Sequence, residues 1–245
     1  MIWREPASGG TPALFAKGEK DMGKGTAYQR SESFVAAALL AAAGGLLDAY
    51  TYLCRGGVFA NAQTGNMVLL AVRAAEGQWA AAAAYLVPVL AFGAGVWVAE
   101  AIKARSPGGG KRHWRHTVLS VEMAVVAAAA LVPPGRWDSG VNVAVSFVCA
   151  MQVEAFRKVR GRAFASTMCT GNLRSGTEAL YRGMTAGGPA RRTAGCYFGI
   201  IACFVAGAAL GGVLTAWTGQ WAVLAAALFQ GAAFWWMWGA DAGKV

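Results

Sequence analysis

The chain has 245 residues, of which 56% are hydrophobic and 14% are charged, and its formal net charge is +10. Length alone would suit one or two soluble domains, but this composition excludes an ordinary soluble protein and is typical of an integral membrane protein. Because the positive-inside rule of membrane proteins accounts for an excess of Lys and Arg, we expect no nucleic-acid partner.

The N-terminal segment, residues 1–33, is rich in Gly, mixes both signs of charge and has no apolar run before Phe34. A segment of this kind buries too little apolar surface to fold, so it predicts a flexible tail on the cytoplasmic side. The remainder, residues 34–245, is predicted to form a single transmembrane domain whose first partner is the lipid bilayer.

Six apolar stretches follow the tail, and each is long enough to cross about 30 Å of hydrocarbon as a helix. Two further helical segments, 59–75 and 163–181, are of doubtful type: they could either cross the membrane or enter and leave on one side, because polar residues lie directly beside their apolar runs. The six predicted spans are 34–53, 80–102, 117–133, 139–157, 195–216 and 220–239.

The distribution of Lys and Arg distinguishes two arrangements of these segments. If both doubtful segments cross the membrane, the chain has eight spans in a 4+4 parallel repeat, and the basic residues divide almost equally between the two sides. If both segments enter and leave on one side, six helices span, and all basic residues except Arg55, Arg73 and Arg136 lie on one side. The positive-inside rule therefore favours six spans in a bacterial inner membrane, with both termini in the cytoplasm.

The tripeptide Thr-Gly-Asn occurs twice, at 64–66 and at 170–172, which are 106 residues apart. Together with the matching order of helices, this predicts an internal repeat with halves at about 34–133 and 139–239. In the six-span arrangement the two halves run in opposite directions. The predicted fold is thus all-α, with six transmembrane helices and two re-entrant half-helices in a 3+3 inverted repeat.

Each Thr-Gly-Asn copy is predicted to lie on a re-entrant hairpin. Non-helical backbone survives at membrane depth only against protein or a water-filled cavity, and Gly56 and Gly57 supply small residues for the descent. Thr64 and Asn66 are residue types that cap helix N-termini, so a half-helix starting there would direct its unpaired N–H groups at the centre, where Asn66 and Asn172 meet. The alternative is that these side chains only cap helices and join them by hydrogen bonds. The predicted binding residues of the hairpins are Asn61, Gln63, Thr64, Asn66, Thr170 and Asn172.

Two acids complete the predicted site. The offset of 106 residues that aligns the two Thr-Gly-Asn copies also aligns Asp48 with Glu154. A charged Asp at the centre of a span costs roughly 2.5–3.5 kcal/mol, which makes Asp48 the leading candidate for proton or cation coupling. Its alternative role is a structural hydrogen bond to a hairpin backbone. Glu154 is weaker evidence because Arg157 and Lys158 lie one helical turn away. Glu122 is expected near a span end, reaching the interface.

The stretches "GGLLDAY" and "GGVFANAQTGNMVLLAVRA", followed by the second "TGN" and by "FVAGAALGG", resemble the YoaK family of bacterial membrane proteins. The resemblance extends over roughly residues 34–239. It implies a multi-pass protein of the inner membrane and supports the predicted fold more than any particular function.

The predicted function is that of a transporter or channel for a small polar solute, coupled to protons or cations through Asp48. A non-transporting assembly or lipid-binding protein is the alternative, and a homo-oligomer is compatible with either. An intramembrane enzyme is disfavoured because the sequence has no Gly-x-Ser-x-Gly motif. We expect no cofactor, since the only histidines, His113 and His116, lie in one basic segment, and the five cysteines have no Cys-x-x-Cys spacing.

Overall fold

The computed structural model describes residues 29–105, 111–186 and 188–238, which fold mainly into helices. Residues 1–28 of the predicted tail lie outside this part of the chain. The elements in chain order are a 3-10 turn (Arg30–Glu32), α1 (Phe34–Cys54), α2 (Gln63–Ala75), α3 (Trp79–Ala104), α4 (Lys111–Ala130), α5 (Asp138–Ala155), β1 (Lys158–Val159), β2 (Arg162–Ala163), α6 (Cys169–Ala186), α7 (Gly188–Thr218), a 3-10 segment (Gly219–Val223) and α8 (Leu224–Trp238).

Three segments of the described chain are long and apolar enough to cross a membrane, judged by length and composition. They are Phe34–Cys54, Trp79–Ala104 and Gly188–Trp238, the last of which contains 51 residues and includes both α7 and α8. The predicted spans 117–133 and 139–157 also fold as helices, α4 and α5, but are not among these three. Both helices carry more polar side chains than the other predicted spans.

Helix α1 packs most extensively against α7, because glycines let the two backbones approach closely. A Cβ atom on Gly207 would overlap the carbonyl oxygen of Ala42. One turn further along both helices, a Cβ atom on Gly211 would lie 2.9 Å from the carbonyl oxygen of Leu46. Since both contacts advance together, α1 and α7 run in the same direction.

Helices α3 and α5 form a second pair of the same kind. A Cβ atom on Gly95 would overlap the carbonyl oxygen of Phe147, and further along the pair the Lys103 Nζ atom lies 4.0 Å from a carboxylate oxygen of Glu154. These contacts also advance together, so α3 and α5 run in the same direction.

Helices α1 and α5 run in opposite directions. Arg55, which follows α1, is fully buried and donates to a carboxylate oxygen of Asp138, the first residue of α5, at 2.9 Å. The same guanidinium donates to the Tyr50 hydroxyl at 2.7 Å and to the carbonyl oxygens of Ala129 and Val132 at the end of α4. Arg55 therefore ties together the ends of three helices.

The interior of the bundle contains two apolar clusters that both draw on α1, α4, α5 and α8. They lie at different heights along these helices, because each helix contributes residues of different turns to each cluster. The first cluster includes Leu46, Val126, Val145 and Ala226, and the second includes Leu40, Leu119, Met151 and Ala233.

A two-residue antiparallel hairpin, β1 and β2, connects α5 to the segment before α6. Arg160 and Gly161 at its turn have φ angles of 49° and 77°, which is the left-handed geometry that tight hairpin turns require. The Arg160 N–H donates to the Glu32 carbonyl oxygen at 2.7 Å. No strand is predicted here from the sequence, because strands of two residues are too short to show an alternating pattern.

Candidate functional site

The chain between α1 and α2 turns back along α1 instead of leaving the bundle. Gly56 and Gly57 have φ angles of 81° and 76°, a backbone conformation that glycine adopts without steric cost. Beyond this turn, the Ala60 N–H donates to Thr51 Oγ1 at 3.2 Å. The Asn61 N–H then donates to Asp48 Oδ1 at 2.7 Å. Successive residues of the segment after Gly57 thus contact successively earlier residues of α1.

Asn61 forms the tip of this first hairpin (residues 55–75). Its side-chain Nδ2 donates to the carbonyl oxygen of Gly44 at 3.3 Å. Gly44 lies ten residues before Cys54, which corresponds to about 15 Å along an α-helix. The tip therefore reaches the middle of α1.

Asn66 closes the first hairpin by binding both backbone groups of Phe59. The Phe59 N–H donates to Asn66 Oδ1 at 3.1 Å, and Asn66 Nδ2 donates to the Phe59 carbonyl oxygen at 2.7 Å. Gln63 supports this arrangement, since it accepts from Asn66 Nδ2 at 2.9 Å and donates to the Ala60 carbonyl oxygen at 2.8 Å. Helix α2 consequently starts beside the descending segment.

The second hairpin (residues 156–186) repeats this closure in the other half of the chain. Asn172 Nδ2 donates to the Ala165 carbonyl oxygen at 2.7 Å, and the Ala165 N–H donates to Asn172 Oδ1 at 3.4 Å. The Asn and its partner are seven residues apart in both hairpins. The asparagine of each Thr-Gly-Asn copy therefore satisfies the backbone of its own hairpin, a role that was not predicted from the sequence.

The predicted capping role of the Thr-Gly-Asn copies is wrong for their threonines. Helix α2 begins at Gln63 with Ala62 as its N-cap, no side chain caps it, and Thr64 lies exposed inside its first turn. Thr170 is likewise exposed and is the second residue of α6. The reason is that each helix starts earlier than predicted, so that the threonines point away from the hairpin interior.

The tips of the two hairpins meet at Gly44 in α1. Thr167, in the second hairpin, lies so close to the Cα of Gly44 that a Cβ atom there would overlap its methyl group. Asn61 of the first hairpin binds the carbonyl oxygen of the same glycine. The hairpin prediction brings Asn66 and Asn172 towards each other, whereas the residues that share a neighbour lie five positions earlier in each hairpin.

Three polar atoms near these tips have no hydrogen-bond partner within the described residues. They are Asn61 Oδ1, Thr167 Oγ1 and Gln152 Oε1, and all three side chains are buried. Gln152 donates from Nε2 to Ser166 Oγ at 3.1 Å, so it links α5 to the second hairpin. The hairpin tips are therefore a buried region with unused hydrogen-bonding capacity.

Asp48 serves as an anchor for the first hairpin. Its side chain is 5% exposed and accepts the Asn61 N–H at 2.7 Å, which is the structural alternative that the sequence left open. No basic side chain of the described residues forms an ion pair with it.

Glu154 lies apart from Asp48, near the end of α5. It pairs with Arg157 at 2.9 Å and approaches Lys103 at 4.0 Å, so the expected pairing at i+3 is confirmed. In the second half of the chain, the residue of α5 that binds the second hairpin is Gln152, which lies two residues before Glu154. The offset of 106 residues thus relates the two acids in sequence but not in their contacts.

Several buried polar residues of the helix core were not predicted from the sequence. Glu122 was expected to reach the interface, and this expectation is wrong, because its side chain is 0% exposed. Helix α4 begins at Lys111, six residues before the predicted span, so Glu122 falls in its middle. Ser146 and Gln230 are also 0% exposed. Each of these polar residues interrupts an apolar run, and that interruption is the feature of the sequence that could have revealed them.

Helical packing, three segments apolar enough to cross a bilayer, and hairpins that turn back into the bundle are the characteristics of an α-helical membrane protein. The chain belongs to the family described as a protein of unknown function (DUF1275), whose family model matches residues 36–236 and so includes both hairpins. No curated protein and no solved structure matches the chain. The resemblance to the YoaK family stays an expectation, since no named relative was found.

Proposed function

We propose that the protein has six spanning helices, α1, α3, α4, α5, α7 and α8, and two re-entrant half-helices, α2 and α6. The contact between Arg55 and Asp138, which places the end of α1 beside the start of α5, supports this arrangement. The first hairpin then enters from one side of the bilayer and the second from the other. By the positive-inside rule, the end that carries Lys103, Arg157 and Arg160 faces the cytoplasm of a bacterial inner membrane.

We also propose that the two halves of the chain are inverted repeats. The packing of α1 against α7 corresponds to that of α5 against α3, and in each pair a glycine overlies a backbone carbonyl group. The closures of the two hairpins correspond as well, since Asn66 and Phe59 are each 106 residues before Asn172 and Ala165. Inverted repeats with interrupted helices are a recurrent plan of secondary transporters.

On this basis we propose that the protein transports a small polar solute, as a transporter or channel, with its binding site at the hairpin tips. The observation that carries the proposal is that Asn61 and Thr167, one from each hairpin, contact the same glycine. Each also retains a buried oxygen that has no partner among the described residues. An unpaired buried polar group costs about 1–3 kcal/mol. A bound solute with its own hydrogen-bonding groups would recover that free energy.

The decisive variant is Thr167→Val, because the lost hydroxyl makes no hydrogen bond with the described residues and the shape of the side chain is kept. We would place the full-length protein in lipid vesicles. Stopped-flow light scattering after an osmotic step would then report the entry of glycerol, erythritol, glycine and serine. We expect Thr167→Val to slow the entry of an accepted solute about tenfold, equivalent to roughly 1.4 kcal/mol. Its unfolding temperature should stay the same or rise, because the substitution removes an unpaired buried hydroxyl.

Thr170→Val is the matched control, since Thr170 is exposed and three residues away from Thr167. It should transport like the wild type. If no solute enters faster than in protein-free vesicles, or if Thr167→Val behaves like Thr170→Val, the transport proposal fails. The alternative of a non-transporting assembly or lipid-binding protein, whose asparagines serve only to close its hairpins, would then be preferred.

A further inference from the structure

Two fully buried polar side chains of the helix core take no part in the hairpins. Glu122 in α4 and Gln230 in α8 are both 0% exposed. Within the part of the chain that the structure describes, neither carboxylate oxygen of Glu122 has a hydrogen-bond partner, and neither polar atom of the Gln230 amide has one. Unpaired buried groups destabilise a fold, and a carboxylate does so more than a neutral group. Stability therefore does not explain these two residues.

Glu122 and Gln230 occupy the same layer of the bundle. Along α4, Glu122 lies between Leu119 of the second apolar cluster and Val126 of the first. Along α8, Gln230 lies between Ala233 of the second cluster and Ala226 of the first. The two helices pack together at this height, since a Cβ atom on Gly231 would lie 3.8 Å from the sulfur of Met123. A polar layer is thus enclosed between two apolar ones.

Further polar and titratable groups come from the helices packed against α4. Ser146 on α5 is 0% exposed, and its hydroxyl has no partner among the described residues. One turn along α5 lies the thiol of Cys149, which is also 0% exposed. Helix α8 and the 3-10 segment before it contain no titratable side chain. Acid is therefore present in this layer, and no base faces it from these elements.

Basic groups near the two ends of α4 have contacts elsewhere. Arg55 binds Asp138 at one end of the bundle, and Arg115 donates to the Ala155 carbonyl oxygen at the other end. On α4 itself, His116 stacks edge-on against Phe234, with ring centroids 4.9 Å apart. A carboxylate at the centre of a helix bundle without a basic partner needs a proton or a metal cation to balance its charge.

Asp48 and Glu122 differ in the way their carboxylates are satisfied. Asp48 accepts a backbone N–H from the first hairpin, so its charge has a donor within the protein. Glu122 has no such donor among the described residues. Of these two acids, Glu122 is therefore the one whose carboxylate lacks a donor among the described residues.

We propose that Glu122 and Gln230 form a site for a monovalent cation, with Ser146 as a further oxygen ligand. Carboxylate, amide and hydroxyl oxygens are hard ligands that suit Na⁺ or K⁺. A single carboxylate balances a single positive charge, whereas a divalent ion would leave a net charge buried. The inference deepens the proposed transport function, because this cation would be the coupling ion, but its binding can be measured without any solute.

The test is thermal unfolding of the purified full-length protein in detergent at pH 8.5. The probes are NaCl and KCl, each titrated at constant ionic strength against N-methylglucamine chloride. A ligand that binds only the folded state raises the unfolding temperature in a saturable manner. We expect this rise with at least one of the two cations, and MgCl₂ should not replace it.

Two variants identify the ligands. Glu122→Gln should fold, because the amide has the same shape without the charge, and should lose the cation-dependent rise. Gln230→Leu should also fold, since the amide makes no hydrogen bond with the described residues, and should weaken the apparent cation affinity about tenfold. Glu178→Gln is the matched control, because Glu178 is an exposed acid on α6 that pairs with Arg182, and it should respond like the wild type.

The proposal is overturned if neither cation raises the unfolding temperature of the wild type, which would mean that Glu122 is simply protonated. It is also overturned if the rise survives in Glu122→Gln. Failure of transport is distinguishable, because Thr167→Val should slow solute entry while it keeps the response to the cation. If the wild type binds the cation but admits no solute, the proposed cation site stands and only the transport function is refuted.

Discussion

Asn66 and Phe59 hold each other across the first hairpin through two hydrogen bonds of 3.1 and 2.7 Å, in which one side-chain amide satisfies both backbone groups of one residue. Asn172 and Ala165 form the same pair in the second hairpin. Non-helical backbone inside a helix bundle must find such partners, because no helix ladder supplies them. The repeated asparagine is therefore a structural requirement of each hairpin.

We expect Asn66→Ala to destabilise the protein by about 2–6 kcal/mol, because the N–H and the carbonyl group of Phe59 would both lose a buried partner at about 1–3 kcal/mol each. Thermal unfolding in detergent, followed by circular dichroism, measures the loss. Thr64→Ala in the same turn is the control and should change stability by less than about 0.5 kcal/mol, since Thr64 is exposed. Equal effects of the two substitutions would contradict this role of Asn66.

The anchor role of Asp48 predicts a difference between two substitutions. Asp48→Asn should cost less than about 1 kcal/mol, because an amide oxygen can still accept the Asn61 N–H. Asp48→Val should cost about 1–3 kcal/mol, because the N–H loses its acceptor. The measurement is again the unfolding temperature of each variant. If Asp48→Asn destabilises as much as Asp48→Val, the charge and not the hydrogen bond is what the fold requires.

Solute transport by Asp48→Asn in lipid vesicles tests the coupling role that the sequence predicted for Asp48. If its charge carries protons or cations, Asp48→Asn should abolish solute entry while the protein still inserts and unfolds at the wild-type temperature. If Glu122 is the coupling acid, Asp48→Asn should keep its transport, and Glu122→Gln should lose its cation dependence.

The packing of α1 on α7 predicts opposite effects for two glycines of one helix. Gly207→Ala should destabilise by at least about 1–3 kcal/mol, because its Cβ would overlap the Ala42 carbonyl oxygen. Gly195→Ala should stabilise by up to about 1 kcal/mol, since alanine is the better helix former and no described atom outside its own helix backbone lies within 4 Å of the new Cβ. Size-exclusion profiles and unfolding temperatures report both. If Gly207→Ala left the unfolding temperature unchanged, α1 and α7 would be less closely packed than the structure indicates.

Labelling of single cysteines in intact cells examines the six-span arrangement. In a cysteine-free background, Gln78→Cys should react with a membrane-impermeant thiol reagent, whereas Arg105→Cys should react only after the cells are opened. Both positions are exposed and lie at opposite ends of α3. The reverse pattern would place the basic end outside and exclude the proposed orientation. Equal labelling at both positions would show that α3 does not span the membrane.

Composition and periodicity were sufficient to predict the helices, because an apolar run of about 20 residues has few alternatives to a helix. The predicted span 34–53 compares with α1 at Phe34–Cys54, and 80–102 with α3 at Trp79–Ala104. The turn back after α1 was also predictable, since Gly56 and Gly57 allow the required backbone angles.

Sequence alone determined that this protein is helical and apolar, and where its polar residues interrupt the apolar runs. Only the tertiary structure decided which partner each of them has: Asn66 binds Phe59, Asp48 binds the Asn61 N–H, and Glu122 binds no described residue. The physical reason is that helix formation depends on neighbours within a few residues, whereas hydrogen-bond pairing depends on which helices meet and at which height. Asp48 and Glu122 look alike as acids in apolar runs, and their different surroundings come entirely from the packing.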